Sequence, residues 1–299
     1  MTPPVRHVDR ETGEVREERV FGGRALRFLY GTRLGGLLRE LIAVRPLFSR
    51  IYGGRMDRPA TPERIRAFAD EAGIALAEAE HPLERYRTVN DLFCRRLKPG
   101  CRPVDRDPAH LVFPADGRAL AFPTLAGGTL PLPVKGASVT VADLLGDADL
   151  ARAYAGGSAV VVRLAPGDYH RYHFPDGGVP STPRRLGRRL HTVTPLSLGR
   201  GIPVFSLNRR EVTILRSDGF GDLAIVEVGA LAVGTIVQTH APERRVERGD
   251  EKGYFAFGGS TIVLVAAPAR LELDRDLVLN TGRGLETKVK WGTRLGRRP

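Results

Sequence analysis

Thr261-Ile262-Val263-Leu264-Val265-Ala266-Ala267 is a short β-branched run ended by Pro268. Its length and composition are those of a core strand, not of an amphipathic helix. Ala159 to Ala165, Val212 to Leu215, Leu223 to Val228 and Leu231 to Val237 have the same character, and Gly, Pro, Asp and Asn separate them. After about residue 110 the chain therefore reads as strands joined by turns. Helical signals lie upstream. Helices first and strands afterwards, without βαβ alternation, predict an α+β fold: N-terminal helices followed by a strand-rich, mainly antiparallel body.

Residues 1–20 are polar and carry Pro3 and Pro4, so they read as a flexible tail. In residues 21–58, Leu26, Leu29, Tyr30, Leu34, Leu37, Leu38, Leu41 and Ile42 recur at helical spacing, with Arg24, Arg27, Arg33, Arg39, Arg45 and Arg50 around them. A basic amphipathic segment of this kind either packs on its own protein or lies in a membrane interface. A second helix is announced by Thr61 as N-cap and Pro62 at the first helical position, then Ile65, Phe68, Ala69 and Ala72 on one face before Gly73. The body is assigned to residues 59–282. Residues 283–299, with Arg283, Lys288, Lys290, Arg294, Arg297 and Arg298 against Glu286, read as a solvated basic tail.

The chain has 299 residues, with 46 Lys and Arg against 34 Asp and Glu, a net charge of +12. Only five of the cations, at 98, 135, 252, 288 and 290, are lysines. Such a charge predicts an anionic partner, and composition alone does not choose between nucleic acid and anionic lipid. Cys94 and Cys101 lack a C-x-x-C spacing and read as structural thiols of a reducing compartment. No apolar stretch approaches the roughly 18 residues of a spanning helix. Asp9, Glu11, Glu14, Glu17 and Glu18 occupy the place of a signal core.

Three polar clusters interrupt the strand-rich region. Phe113-Pro114-Ala115-Asp116-Gly117-Arg118 puts a carboxylate at a turn, whose plain reading is an Asp-Gly hairpin. Pro166-Gly167-Asp168-Tyr169-His170-Arg171-Tyr172-His173 carries two of the seven histidines. A third ligand at metal-binding spacing is not evident beside them, so no metal is expected, and general acid-base work suits them better. Phe257-Gly258-Gly259-Ser260-Thr261 places a hydroxyl behind paired glycines, which by itself is ordinary loop chemistry. Taken together, Asp116, the His170/His173 pair and Ser260 form a set available for nucleophilic activation.

These clusters and the segments between them resemble the phosphatidylserine decarboxylases, from about residue 86 to 268. Thr88 to Gly100 (TVNDLFCRRLKPG), Pro114-Ala115-Asp116-Gly117, Val134-Lys135-Gly136 with Leu144-Leu145-Gly146-Asp147, and Asp168 to His173 follow the family's order. So do Asn208-Arg209-Arg210, Val228-Gly229-Ala230 with Val233-Gly234, and Gly249 to Phe255 (GDEKGYF). Gly258 stands where many members carry Leu, a recurrent variant.

The resemblance implies a self-cleaving proenzyme that is cut between Gly259 and Ser260 into a β chain of residues 1–259 and an α chain of residues 260–299. His173 held by Asp116 would activate Ser260, whose attack on the Gly259 carbonyl gives an ester. Elimination and hydrolysis then leave a covalent pyruvoyl group, the expected cofactor. That group would form a Schiff base with phosphatidylserine and act as electron sink for decarboxylation to phosphatidylethanolamine, with His170 serving this stage. The implied partners are phosphatidylserine, an anionic membrane surface and the two self-made chains. No nucleic acid is expected, and the resemblance admits a homodimer. The expected localisation is peripheral, on the cytoplasmic face of the cell membrane, and it turns residues 21–58 into a membrane-docking segment. The alternatives are a pyruvoyl decarboxylase of a soluble amino acid, a serine hydrolase using Asp116, His173 and Ser260, and a basic membrane-binding protein that never processes.

Overall fold

The apolar runs of the sequence form the middle of one large sheet. The computed structural model describes residues 5–18, 23–131, 138–193, 202–231, 235–257 and 260–299. Its strands are β1 (Val5–Asp9), β2 (Val15–Glu18), β3 (His110–Val112), β4 (Gly117–Phe122), β5 (Thr129–Pro131), β6 (Ser138–Thr140), β7 (Ser158–Leu164), β8 (Arg171–His173) and β9 (Gly178–Pro180). They continue with β10 (Arg184–Leu186), β11 (Arg210–Ser217), β12 (Gly221–Gly229), β13 (Ile236–Gln238), β14 (Glu251–Phe255), β15 (Ser260–Ala266), β16 (Glu272–Leu273), β17 (Glu286–Val289) and β18 (Arg294–Arg297). The main sheet runs β10-β11-β12-β15-β7-β4-β17-β1-β2, with β9 also on β11. Its pairings are antiparallel except β1 beside β17. Smaller sheets join β13-β14-β8, β16-β18-β3 and β5-β6. The α+β, mainly antiparallel expectation holds.

Every residue of β7 and β15 is buried. Val160, Val162, Ile262 and Leu264 enter one core, while Ala159, Val161, Val263 and Val265 enter a second core on the opposite face. A strand covered on both faces has no polar side to show, which is why these runs are continuously apolar and not alternating. Of the Leu231 to Val237 run, β13 takes the end at Ile236–Gln238, and residues 232–234 lie outside the described residues.

The two terminal readings are corrected. Residues 5–18 are not a loose tail, because β1 and β2 pair with each other and β1 lies parallel to β17. Residues 283–299 contribute β17 between β4 and β1, and β18 between β16 and β3. Their charges looked solvated because the partners are remote in sequence. Arg163 forks onto Glu286 at 2.9 and 2.5 Å and onto Glu18 at 3.0 and 2.7 Å. Arg118 meets both Glu18 and Asp168.

The N-terminal helical segment is broken. It comprises α1 (Gly23–Gly31), α2 (Arg33–Leu38), a π-turn at Arg39–Ala43, and α3 (Pro46–Met56). Thr32 leaves helical geometry and caps α2, its hydroxyl accepting from Gly35 N at 3.0 Å. Arg45 is extended because Pro46 follows it. Gly35 is required by a close approach, since a Cβ there would lie 1.9 Å from the Phe28 carbonyl oxygen. The capped helix predicted from Thr61 is α4 (Pro62–Ala72), with Ile65, Phe68 and Ala69 buried. It packs near α5 (Val89–Phe93), itself capped by Thr88, in a third cluster that also contains Phe257.

Candidate active site

Strand register carries the site. Arg118 of β4 pairs with Arg163 of β7, and Arg163 pairs with Thr261 of β15. One row further on, Leu164 ends β7 opposite Ser260, and Ser260 opposes Gly229, the last residue of β12. Asp116 lies just beyond that row, ahead of Gly117. A Cβ on Gly117 would come within 2.7 Å of the Arg163 carbonyl oxygen, so this glycine lets the chain press onto the end of β7 and is no hairpin tip. The chain leaving Leu164 runs directly into Asp168, His170 and β8, which holds His173. Asp116, the two histidines and Ser260 are thus delivered to one end of the sheet.

Asp116 is buried and accepts three contacts from the Arg102 guanidinium, at 2.7–3.1 Å, and one from Trp291 N at 2.9 Å. Burial pushes its carboxyl up from the ordinary value, and the Arg102 charge opposes that push. Arg102 also pairs with Glu78 at 2.8 Å. His173 is tied to the same turn by its backbone N–H, which donates to the Pro114 carbonyl at 2.8 Å. The expected Asp116–His173 hydrogen bond is corrected. Among the described residues none joins the two, because Arg102 and Trp291 take up the carboxylate. The His173 ring instead stacks on the Trp291 indole, with centroids 3.8 Å apart and planes 7° from parallel, and Tyr169 lies 5.9 Å away. Burial, then the Arg171 charge, lowers the His173 imidazole to about 3. The ring is therefore neutral near pH 7, as a base must be, and among the described residues its buried Nδ1 has no hydrogen-bond partner.

His170 sits in an apolar setting. It is fully buried, its Nδ1 is 3.0 Å from the Asp168 carbonyl oxygen, and its ring is 3.8 Å from that of Phe93. Asp168 closes the turn before it by accepting from Ala165 N at 2.7 Å. Burial pushes the Asp168 carboxyl up, but Arg118 and the Ala165 N–H outweigh it and hold the group below its ordinary value. Phe93 also meets Phe257, with ring centroids 5.1 Å apart, and Phe257 packs against Phe68 and Tyr52. The Phe257 N–H donates to Asn90 Oδ1 at 2.8 Å. The segment ahead of Ser260 is therefore pinned by a side chain and a backbone bond, three residues short of the hydroxyl. Gly258 and Gly259 lie outside the described residues.

Ser260 is fully buried, and among the described residues its Oγ has no hydrogen-bond partner. A hydroxyl left in this condition costs stability, and Ser49, Ser158 and Thr261 share it, so what sets Ser260 apart is its place beside Asp116 at the end of the sheet. Two residues along β12 from the Gly229–Ser260 pair, Glu227 makes a fully buried ion pair with Lys252 at 2.8 Å. Lys252 also donates to Thr213 Oγ1 and Gln238 Oε1, each at 3.0 Å.

Sequence reasoning missed Arg102, Trp291 and Glu18. Arg102 and Glu18 carried no local signal among so many charges. Trp291 did, as the single tryptophan of a segment otherwise read as polar. Cys94 is unpaired and burial pushes its thiol up to about 12, in keeping with a structural thiol.

The protein is an enzyme, a decarboxylase whose relatives are made as proenzymes. The family model described as Phosphatidylserine decarboxylase matches residues 89–297, and the chain belongs to that family. It is 44% identical over 292 residues, covering 98% of this chain and 97% of the relative, to the phosphatidylserine decarboxylase proenzyme of Chlamydia trachomatis serovar L2. The proenzymes of Fusobacterium nucleatum and Clostridium perfringens are 38% and 37% identical, over 98% and 96% of this chain and 97% and 98% of the relatives. These names fit phosphatidylserine decarboxylation and not the alternatives of a soluble amino acid substrate, an ester hydrolase or a non-enzymatic binder. No helix among the described residues is long and apolar enough to cross a membrane.

Proposed function

We propose that the chain cleaves itself between Gly259 and Ser260, converts Ser260 into a pyruvoyl group, and decarboxylates phosphatidylserine while docked on a lipid surface through α1–α3. The observation that carries the first part is the delivery of Asp116, His173 and a buried Ser260 to one end of the sheet, with His173 Nδ1 and Ser260 Oγ both free of hydrogen bonds among the described residues. In this reading His173 takes the Ser260 hydroxyl proton, and Oγ attacks the Gly259 carbonyl. The resulting ester breaks by elimination at Ser260, releasing the Gly259 carboxylate. Water then displaces ammonia from the residue that remains. The pyruvoyl group supplies the electron sink for loss of carbon dioxide. Around it, the residues at the start of β15 hold the site dry, and His170, presented by the Asp168 turn, delivers a proton to the decarboxylated carbon. The α chain would contribute β15 and β17 to the interior of the sheet. The two chains then cannot part without unfolding.

The docking part rests on exposure. Leu34, Leu37, Leu41, Ile42, Leu47 and Ile51 are each 53–63% exposed. The inner side of the same segment is fastened to the body, with Tyr30 Oη accepting from Thr192 N at 3.0 Å and Val44 O from Leu190 N at 3.0 Å. Arg27, Arg33, Arg45, Arg55 and Arg58 are exposed around the patch. Leu side chains with Arg heads beside them suit an anionic lipid interface, where each buried apolar side chain adds on the order of 1 kcal/mol. Tyr52 of α3 packs on Phe257, so the patch adjoins the segment that ends at the cleavage position.

The histidines provide the test. His173→Ala should stay a single chain. His170→Ala should split yet lose about 10²- to 10⁴-fold in carbon dioxide release from labelled phosphatidylserine vesicles, the usual cost of removing a general acid. The reverse pattern would exchange the two roles, and normal behaviour in both would remove them from the site.

A further inference from the structure

We propose that Trp291 is the positioning residue for His173: its indole fixes the plane of the imidazole and shields it from water, so that the ring stays neutral and aimed as the base for self-cleavage. The inference rests on the reading of His173 as that base, and it assigns a task to a residue that the function has not yet used.

Three observations carry it. The rings are stacked at 3.8 Å and 7°, a face-to-face contact that leaves the imidazole one plane in which to lie. Asp116, the residue expected to orient the base, bonds to the Trp291 backbone N–H and to Arg102 and not to the imidazole, so its influence on ring orientation passes through residue 291. Trp291 itself is placed by the 290–292 turn, in which Gly292 N donates to Phe113 O and Phe113 N bonds to Thr293 O. Phe113 leads directly into the Pro114 to Asp116 segment. The base, its cover and the carboxylate are thus three parts of one small assembly.

The charged groups that face the imidazole are few. On its own strand is Arg171, paired with Glu251 of β14 at 3.0 Å. Glu251 is also the register partner of His173. From the turn before β4 comes Asp116, neutralised by Arg102. Tyr169 offers a ring. None of these donates to or accepts from the imidazole, which leaves the indole, at 3.8 Å, as the nearest ring contact among the described residues. The same face suits the imidazolium formed when the Ser260 proton is taken, because an aromatic face attracts a cation. That attraction would also favour protonation before the reaction, but it is smaller than the depression, from 6.5 to about 3, that burial and then the Arg171 charge cause. Loss of the indole therefore raises the imidazole towards its ordinary value.

The test is made on the full-length chain, synthesised without cells so that cleavage can be timed at a chosen pH. Wild type and Trp291→Phe should cleave at nearly equal rates at pH 8 and pH 5.5. Trp291→Ala should be slower by up to about 10²-fold at pH 8, the scale of a misplaced reacting group, and by up to about a further tenfold at pH 5.5, the limit reached if the ring returns to its ordinary value and protonates. A role in folding alone would slow cleavage equally at both pH values, and that result would overturn the proposal. So would a Phe variant no better than Ala. In a parallel arm, the His173 imidazole is titrated by NMR in uncleaved Ser260→Ala chains. With Trp291 present it should stay neutral down to pH 4.5, and with Trp291→Ala its titration should move up towards the ordinary histidine value. Unchanged titration would refute the role of Trp291 whether or not His173 proves to be the base. Normal cleavage by His173→Ala would instead refute the base assignment and leave the titration result standing.

Discussion

β7 and the α1–α3 segment are built from the same kinds of side chain and end in opposite environments. Ser158–Leu164 is buried throughout, between two cores. Leu34, Leu37, Leu41 and Ile42 stay more than half exposed on a segment that is nonetheless fastened to the body through Tyr30 and Val44. In the strand, apolar residues hold the fold together and bring Leu164 opposite Ser260. In the helices, the fold is satisfied by the inner face and the outer apolar residues remain for another surface. Exposed apolar side chains in a row call for a partner, whereas a scattered few do not.

That contrast can be broken first from the side of the sheet. Val263→Asp would bury an unpaired charge in the second core and should cost more than about 4 kcal/mol, leaving no folded protein by circular dichroism. Lys252→Met removes one partner of the buried pair and should cost about 3 to 5 kcal/mol in urea unfolding, with much of it restored when Glu227 is also replaced by an apolar residue.

A smaller effect is carried by pH. The folded-state pKa of His173 is depressed, from 6.5 to about 3. Its contribution is therefore present above pH 6.5 and lost as pH falls from there towards 3, where the unfolded chain binds the extra proton. Wild type should be about 2 kcal/mol less stable at pH 5 than at pH 7.5 on this account, and His173→Asn should lack that part of the slope. The smallest change in stability is expected on the helices. Leu37→Asp should leave unfolding within about 0.5 kcal/mol of wild type while weakening sedimentation with anionic vesicles about tenfold. Equal sedimentation would end the docking role of this face.

The sequence made the centre of the molecule legible and its edges illegible, for one physical reason. A strand buried on both faces announces itself locally, so β7, β11, β12 and β15 were foreseen within a residue or two. β1, β2, β17 and β18 are held by charge pairs between distant positions, such as Arg163 with Glu18 and Glu286, and a local reading takes such charges for solvated ones. The same blindness touched the site. Asp116, His170, His173 and Ser260 were nominated by residue type, but their partners Arg102 and Trp291 come from 14 and 118 residues away respectively, and spacing alone reveals neither. Asn90 was visible only as part of a resembling segment until Phe257 N was found bonded to it.

The central claim is that Ser260 is both the residue that cuts the chain and the residue that becomes the reactive group. Intact mass spectrometry of the purified protein tests it most directly, beside the Ser260→Ala variant. The account predicts that wild type gives two chains of 259 and 40 residues, the shorter carrying a pyruvoyl group in place of an N-terminal serine, and that Ser260→Ala gives one chain of 299. A single wild-type chain of full length, or two chains from Ser260→Ala, would contradict it.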